Sequence, residues 1–229
     1  MSAIASFPEK LQQFEALLDE VICQPRPSLD AITRTIRFAE SLVVAYPDEA
    51  DAHHMLGLAW YHYPSGASFR SWRCRESLQR AVALEPDHQY ALQFLAYLAF
   101  DQERYDEALT LQTRLDDQYF IERDQEWRAL KNLETRVVCQ IRLKRESIPA
   151  SDFTRFADWY RDARSREESD NPSGSYVHPQ ELRECAEWLF ETGTPLGDSP
   201  LSTLLTFLAE IGYLDQSWTR ALIPQSTIT

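Results

Sequence analysis

Asp51, His53, His54 and His62 crowd into residues 51–62. Imidazole and carboxylate are the side chains that ligate metals and move protons near neutral pH. His54 and His62 stand two helical turns apart with Leu58 between them, and no second H-x-x-x-H pair follows. Solvent-facing or groove histidines are therefore expected, with no metal. A second concentration is basic: Arg70, Arg73, Arg75 and Arg80 surround Trp72. A guanidinium there can stack on the indole or pair with Glu76 or Glu107. Phosphate binding has no glycine-rich or helix-start motif to support it. The chain has no G-x-S-x-G elbow, phosphate loop, H-E-x-x-H or dinucleotide fingerprint. The run Arg164-Ser165-Arg166-Glu167-Glu168 has the form of a solvated helix end. No catalytic activity and no cofactor are expected.

Composition narrows the scaffold that must hold these residues. The chain has 229 residues, 44% hydrophobic and 12% aromatic, which is enough apolar surface for a folded core. Six glycines argue against a turn-rich β design. The net charge of −13 is uneven: residues 89–122 and 150–229 are acidic, and 123–149 are basic. Such a surface repels nucleic acid and suits a basic partner, although acidity also serves solubility. Cys23, Cys74, Cys139 and Cys185 form no C-x-x-C pair and fall on apolar helix faces. Buried thiols in a reducing compartment are expected. No export signal is visible in Met1–Pro8 and no apolar run has the length of a membrane span, so the expected location is cytoplasmic.

Apolar residues recur at three- and four-residue spacing through most of the chain, predicting about ten or eleven helices and no strand. A first helix spans Glu9–Cys23, with Leu11, Phe14, Leu18 and Val21 on one face, and Pro25 and Pro27 stop it. Ser28 then caps a second, which ends near Tyr46-Pro47. Later, Trp127, Leu130, Glu134, Val137, Val138 and Ile141 mark a long helix over about 122–146. Ser151 or Asp152 is expected to cap the next, and Ser165–Tyr176 has the composition of a linker. Pro179 opens a helix closed by Gly193, Asp198 or Ser199 opens one closed by Gly212, and Asp215 caps a short last one.

Between these lie two similar hairpins. Leu56, Gly57 and Trp60, then Cys74, Leu78, Ala81 and Pro86, match Leu92, Leu95, Ala96 and Ala99, then Tyr105-Asp106-Glu107-Ala108 and Leu115. This pattern resembles tetratricopeptide repeats, with His53 standing where the family usually has Trp. Leu56 to Leu95 and Gly57 to Ala96 are 39 apart, whereas Cys74 to Ala108 and Ala81 to Leu115 are 34 apart. The first hairpin therefore carries five extra residues, expected in its turn within Tyr61–Phe69. The resemblance implies an all-α fold, a helical-hairpin, tetratricopeptide-like superhelix with a helical C-terminal lobe. Its repeats cover 1–122 (7–49 degenerate, 50–88 with the insertion, 89–122 clear), and the lobe covers 123–229.

In that family, the first helices of successive repeats line a concave groove that grips a peptide or protein. Carried over position by position, the groove is Asp51, His54, Leu58, Tyr61 and His62, then Tyr90, Gln93, Tyr97, Phe100 and Asp101. The four-residue spacing of 54, 58 and 62 and of 93, 97 and 101 puts each set on one helix stripe. The groove is aromatic and mildly acidic, and it lacks the Lys, Arg and Asn with which some members clamp a terminal carboxylate. The expected function is a protein–protein interaction module whose partner is another protein, possibly basic, with no nucleic acid and no membrane. Alternatives are an acidic immunity protein or secretion chaperone for one toxin or effector, and a ligand sensor or motif-free enzyme. Self-association is open.

Overall fold

The computed structural model describes residues 6–24, 26–64, 68–143, 150–170, 179–194 and 199–214. Among them the chain is all-α, with eleven helices and no strand. It divides into two compact units, Met1–Leu115 and Asp116–Thr229.

The first unit is a run of helical hairpins: α1 (Phe7–Ile22) with α2 (Leu29–Ala45), α3 (Ala50–Tyr61) with α4 (Ser68–Leu84), and α5 (Gln89–Asp101) with α6 (Tyr105–Gln112). Each helix packs on the next, and α3 also touches α5. Local chemistry sets the starts. Ser28 accepts the Ala31 N–H at 3.1 Å, the ordinary N-cap bond that satisfies one orphan donor of α2. Small residues set the spacing between helices. Cys74, Ala81, Ala96 and Ala108 are fully buried. A Cβ added at Gly57 would lie 2.6 Å from Leu78 Cγ, so only glycine permits this approach of α3 to α4.

The insertion in the first hairpin is not confined to its turn. Six residues, 62–67, separate α3 from α4, against three, 102–104, between α5 and α6. A further three residues lengthen the start of α4, which begins six residues ahead of Cys74 while α6 begins three ahead of Ala108, and α3 ends one residue sooner after Gly57 than α5 does after Ala96. An added helical turn keeps its backbone bonds satisfied within itself, which a longer loop cannot do. Residues 65–67 lie outside the described residues.

In the second unit, α8 (Glu126–Arg142) touches α7 (Asp117–Ile121), α9 (Ala150–Asp170) and α10 (Gln180–Glu191), and α10 touches α11 (Pro200–Glu210). Three neighbours explain why α8 buries Asn132, Glu134, Thr135 and Gln140 along with its apolar residues. Trp127 is the exception to the expected stripe: it is half exposed, with the Arg128 guanidinium 4.4 Å from its ring. Phe207 of α11 packs edge-on against Phe153, Phe156 and Tyr160 of α9.

Glu134 binds α8 to α10. The N-cap of α10 is Pro179, which offers no capping side chain, and the Glu134 carboxylate accepts the Leu182 N–H at 3.1 Å instead. Lys131 donates to Glu134 at 2.8 Å and also to Glu181. Burial pushes Glu134 up to about 7 against the pull of Lys131, and the Glu181 charge adds to the rise. Burial opposes the charge on Lys131, yet the two carboxylates hold it above its ordinary value.

Four helices end in one motif, in which a residue with positive φ closes the helix and the next N–H reaches back five residues. Gly193 (φ 74°) and Gly212 (φ 72°) do so, with Thr194 N–H to Leu189 O and Tyr213 N–H to Leu208 O. Glu103 and Asp124, both at φ 56°, close α5 and α7 in the same way.

Several expectations are corrected. The long helix begins at Glu126 rather than near 122, because Asp124 turns left-handed and ends α7. Ser151 and Asp152 lie inside α9 rather than capping it, and Asp152 instead accepts from Gln140 of α8 at 3.0 Å. Residues 165–170 of the expected linker are helical, continuing α9. The rest of that linker, Asp198 and the short helix expected from Asp215 lie outside the described residues. Cys23 is exposed rather than buried, since it sits at the C-cap of α1 beyond the apolar face, while Cys74, Cys139 and Cys185 are buried. Among the described residues, no helix is long and apolar enough to cross a membrane.

Candidate functional site

The candidate site is the face shared by α3 and α5. Asp51 in the first turn of α3 meets His88 at the start of α5, and Tyr61 at the end of α3 meets Asp101 at the end of α5. The two helices therefore run in the same direction, with like ends together.

At the starting end, His88 is the N-cap of α5. Its Nδ1 accepts the Ala91 N–H at 3.2 Å, so its proton sits on Nε2, which donates to Asp51 Oδ1 at 3.1 Å. That bond, aided by the nearby His88 and His54 rings and opposed by partial burial, holds the Asp51 carboxyl below its usual range. Asp51 is an exposed anion at neutral pH, its side chain 51% accessible. His53 is buried elsewhere, with Nε2 2.8 Å from the Pro47 carbonyl.

From there a ladder of rings crosses the face. The His54 ring lies 5.1 Å from His88, stacks on Tyr90 at 5.8 Å, and is 6.0 Å from Phe94. Phe94 meets Tyr61 edge-on at 5.2 Å and Tyr97 at 5.8 Å. These separations are those of attractive tilted and edge-to-face aromatic pairs.

At the far end, the Tyr61 hydroxyl donates to Asp101 Oδ2 at 2.9 Å. Burial, then the Asp101 charge, pushes the phenol well above its ordinary value, so it stays a donor. Arg70 of α4 donates from Nε and Nη2 to the Tyr61 carbonyl at 3.0 and 2.6 Å and rests 5.4 Å from the Tyr61 ring. His62 caps α3, and burial, helped by the Arg70 charge, depresses its pKa and keeps the ring neutral.

Of the groove positions read from the sequence, Asp51, His54, Tyr61, Tyr90, Tyr97 and Asp101 join in this connected array. Leu58 and Gln93 are buried and form no part of an exposed surface, and Phe94, buried to the same degree as Leu58, supports the ladder from beneath. His62 touches the Tyr61 ring at 5.6 Å, and Phe100 turns to Tyr105 of α6 at 5.8 Å. Sequence reasoning missed His88 and Phe94, and it placed Arg70 in the basic cluster around Trp72 rather than on the Tyr61 carbonyl. The signal for His88 was present: Pro86-Asp87-His88 repeats Pro47-Asp48-Glu49 in the 39-residue register, and Glu49 is the N-cap of α3. The basic cluster on α4 forms internal contacts, with Arg73 4.8 Å from the Trp72 ring and Arg75 paired with Glu107 at 2.5 Å.

Ligand atoms of Asp51, His54 and His88 lie within 4.8 Å of one another. The hydrogen bonds nevertheless do not fit a metal. With Nδ1 taken by the Ala91 N–H, a metal at His88 Nε2 would need an imidazolate or a broken cap. The cluster is built to position α5 and to keep Asp51 ionised.

No protein-family model matches the chain, and neither a curated protein nor a solved structure matches it.

Proposed function

We propose that the chain is a protein–protein interaction module that holds a partner segment on the α3/α5 face, as the groove of a tetratricopeptide-like superhelix. The carrying observation is the ring ladder from His54 through Phe94 to Tyr61 and Tyr97, bounded by Asp51 and Asp101. Tyrosines with an apolar body and a hydrogen-bonding tip supply large contact area at small entropic cost, which is why they anchor interfaces. The order of hairpin packing from α1 to α6 supports the repeat reading. Four thiols without a disulfide support a reducing, cytoplasmic setting.

The test is affinity capture of the partner from the native host, followed by mass spectrometry, with wild type and a Tyr61→Ala/Tyr97→Ala variant. The variant loses the partner while its far-UV circular dichroism is unchanged. Equal capture by both proteins overturns the proposal.

A further inference from the structure

We infer that α4 is a self-association surface, on which a second copy of this chain lays its own α4 antiparallel about a two-fold axis. None of the residues involved belongs to the α3/α5 face, so the inference stands whether or not that face holds a partner.

The solvent side of α4 is unlike that of its counterpart in the next hairpin. Phe69, Trp72, Arg73, Glu76 and Arg80 recur at three- and four-residue spacing and are all exposed, opposite the buried Cys74, Leu78 and Ala81. Phe69 is 47% accessible and Trp72 55%. The Phe69 ring meets Trp60 edge-on at 5.7 Å and lies 5.5 Å from Tyr63, with Trp72 one turn further along α4. Exposed rings gathered in this way mark an interaction surface, whereas single ones do not. In the 34-residue register that joins Cys74 to Ala108, Trp72 and Arg73 correspond to Asp106 and Glu107. The second hairpin thus carries two acids where α4 presents an indole and a guanidinium. Phe69 belongs to the extra turn at the start of α4, which α6 lacks.

The order of these residues is self-complementary. Consider two antiparallel copies of α4 related by an axis at the level midway between Arg73 and Glu76. Arg73 of each copy then meets Glu76 of the other, and Phe69 of each meets Arg80 of the other. Trp72 falls at the level between Glu76 and Arg80 of the second copy. Each glutamate faces an arginine, and each ring has a guanidinium beside it. The ion pairs within one chain permit this exchange. Arg73 stands 3.9 Å from Glu76 and Arg80 3.9 Å from Asp48, both beyond hydrogen-bond distance, and all four side chains are at least half exposed. Such pairs contribute little in solvent and gain strength where a second surface excludes water. Two chains of net charge −13 repel at long range, and α4, with four arginines against one glutamate, locally offsets that repulsion.

The test is the mass of the full chain by light scattering after size-exclusion chromatography, from low to high micromolar concentration. The wild type should pass from 26.6 kDa to twice that value as concentration rises. Trp72→Asp, which installs the residue type of α6 at this register, should stay monomeric throughout with unchanged circular dichroism. Arg73→Glu and Glu76→Arg each oppose like charges across the axis when alone, and each should weaken the dimer by about tenfold. Mixed in equal amounts they oppose unlike charges, so a mixed dimer should form about as tightly as the wild type. A wild type that keeps the mass of one chain at every concentration overturns the inference and leaves this face to a different protein. A dimer that survives Trp72→Asp undiminished places the contact elsewhere and overturns it as well. Charge variants that keep their circular dichroism yet fail to pair when mixed overturn the antiparallel register, and the inference with it. Trp72 is more than half exposed, so Trp72→Asp decides the matter even if a charge variant loses structure.

Discussion

Glu134 of α8 accepts a hydrogen bond from the backbone N–H of Leu182, 3.1 Å away in the first turn of α10. A carboxylate on one helix thus does for the next what its own N-cap, Pro179, cannot do.

That arrangement makes the second unit pH-sensitive. Folding raises Glu134 from 4.5 to about 7, mainly by burial, with the proton shared within the Lys131, Glu134 and Glu181 cluster. A raised folded-state value contributes stability that is full below the unfolded value and lost as pH rises through the folded one. Stability should therefore fall between about pH 4.5 and 7 by roughly 2–3 kcal/mol from this cluster. Urea unfolding across that range checks it, and Glu134→Gln should flatten the slope while keeping an acceptor for Leu182. An equal slope in both proteins removes Glu134 as its source.

Gly57→Ala tests the α3/α4 approach. Helix propensity alone favours alanine by about 1 kcal/mol, but the added methyl meets the Leu78 side chain at 2.6 Å. Overpacking wins, with a net loss of about 1–3 kcal/mol in thermal unfolding. Combined with Leu78→Ala, the substitution should cost clearly less than the two single losses added together.

Glu103 holds a left-handed conformation that disfavours side chains, at φ 56°. Glu103→Gly keeps the Arg104 to Ala99 bond that closes α5 and removes the Cβ penalty. The melting temperature should rise, by an amount equivalent to about 1 kcal/mol. A fall would mean that the Glu103 side chain contributes more than its backbone costs.

His88 is assigned a capping role, which separates it from a metal ligand. His88→Ala should cost about 1–2 kcal/mol, and His88→Asn should recover most of that because asparagine also accepts the N3 amide. A chelator should leave the melting temperature of the wild type unchanged. A saturable one-to-one zinc complex that raises it would overturn the tautomer assigned to His88.

The parts of this protein legible in its sequence are those governed by local rules. Apolar periodicity located the helices, Ser28, Gly193 and Gly212 marked boundaries, and the spacing from Gly57 to Ala96 exposed the paired hairpins. Each of these depends on a residue and neighbours within one or two turns. The helix ends at Glu103 and Asp124 escaped notice because a left-handed closing residue other than glycine leaves little trace in composition.

What only the tertiary structure decided depends on residues far apart in the chain. His88 meets Asp51 across 37 positions, Tyr61 meets Asp101 across 40, and Glu134 reaches Leu182 across 48. Helical stripes say which residues share a face. They do not say which members of the stripe another helix will bury, as Leu58 and Gln93 are buried while Asp51 stays exposed. The sequence by itself determined the helices and their pairing, because those are set by short-range sterics and periodicity. The tertiary structure decided which side chains end at a surface and which of them hydrogen-bond, because burial and donor–acceptor pairing are properties of helices brought together.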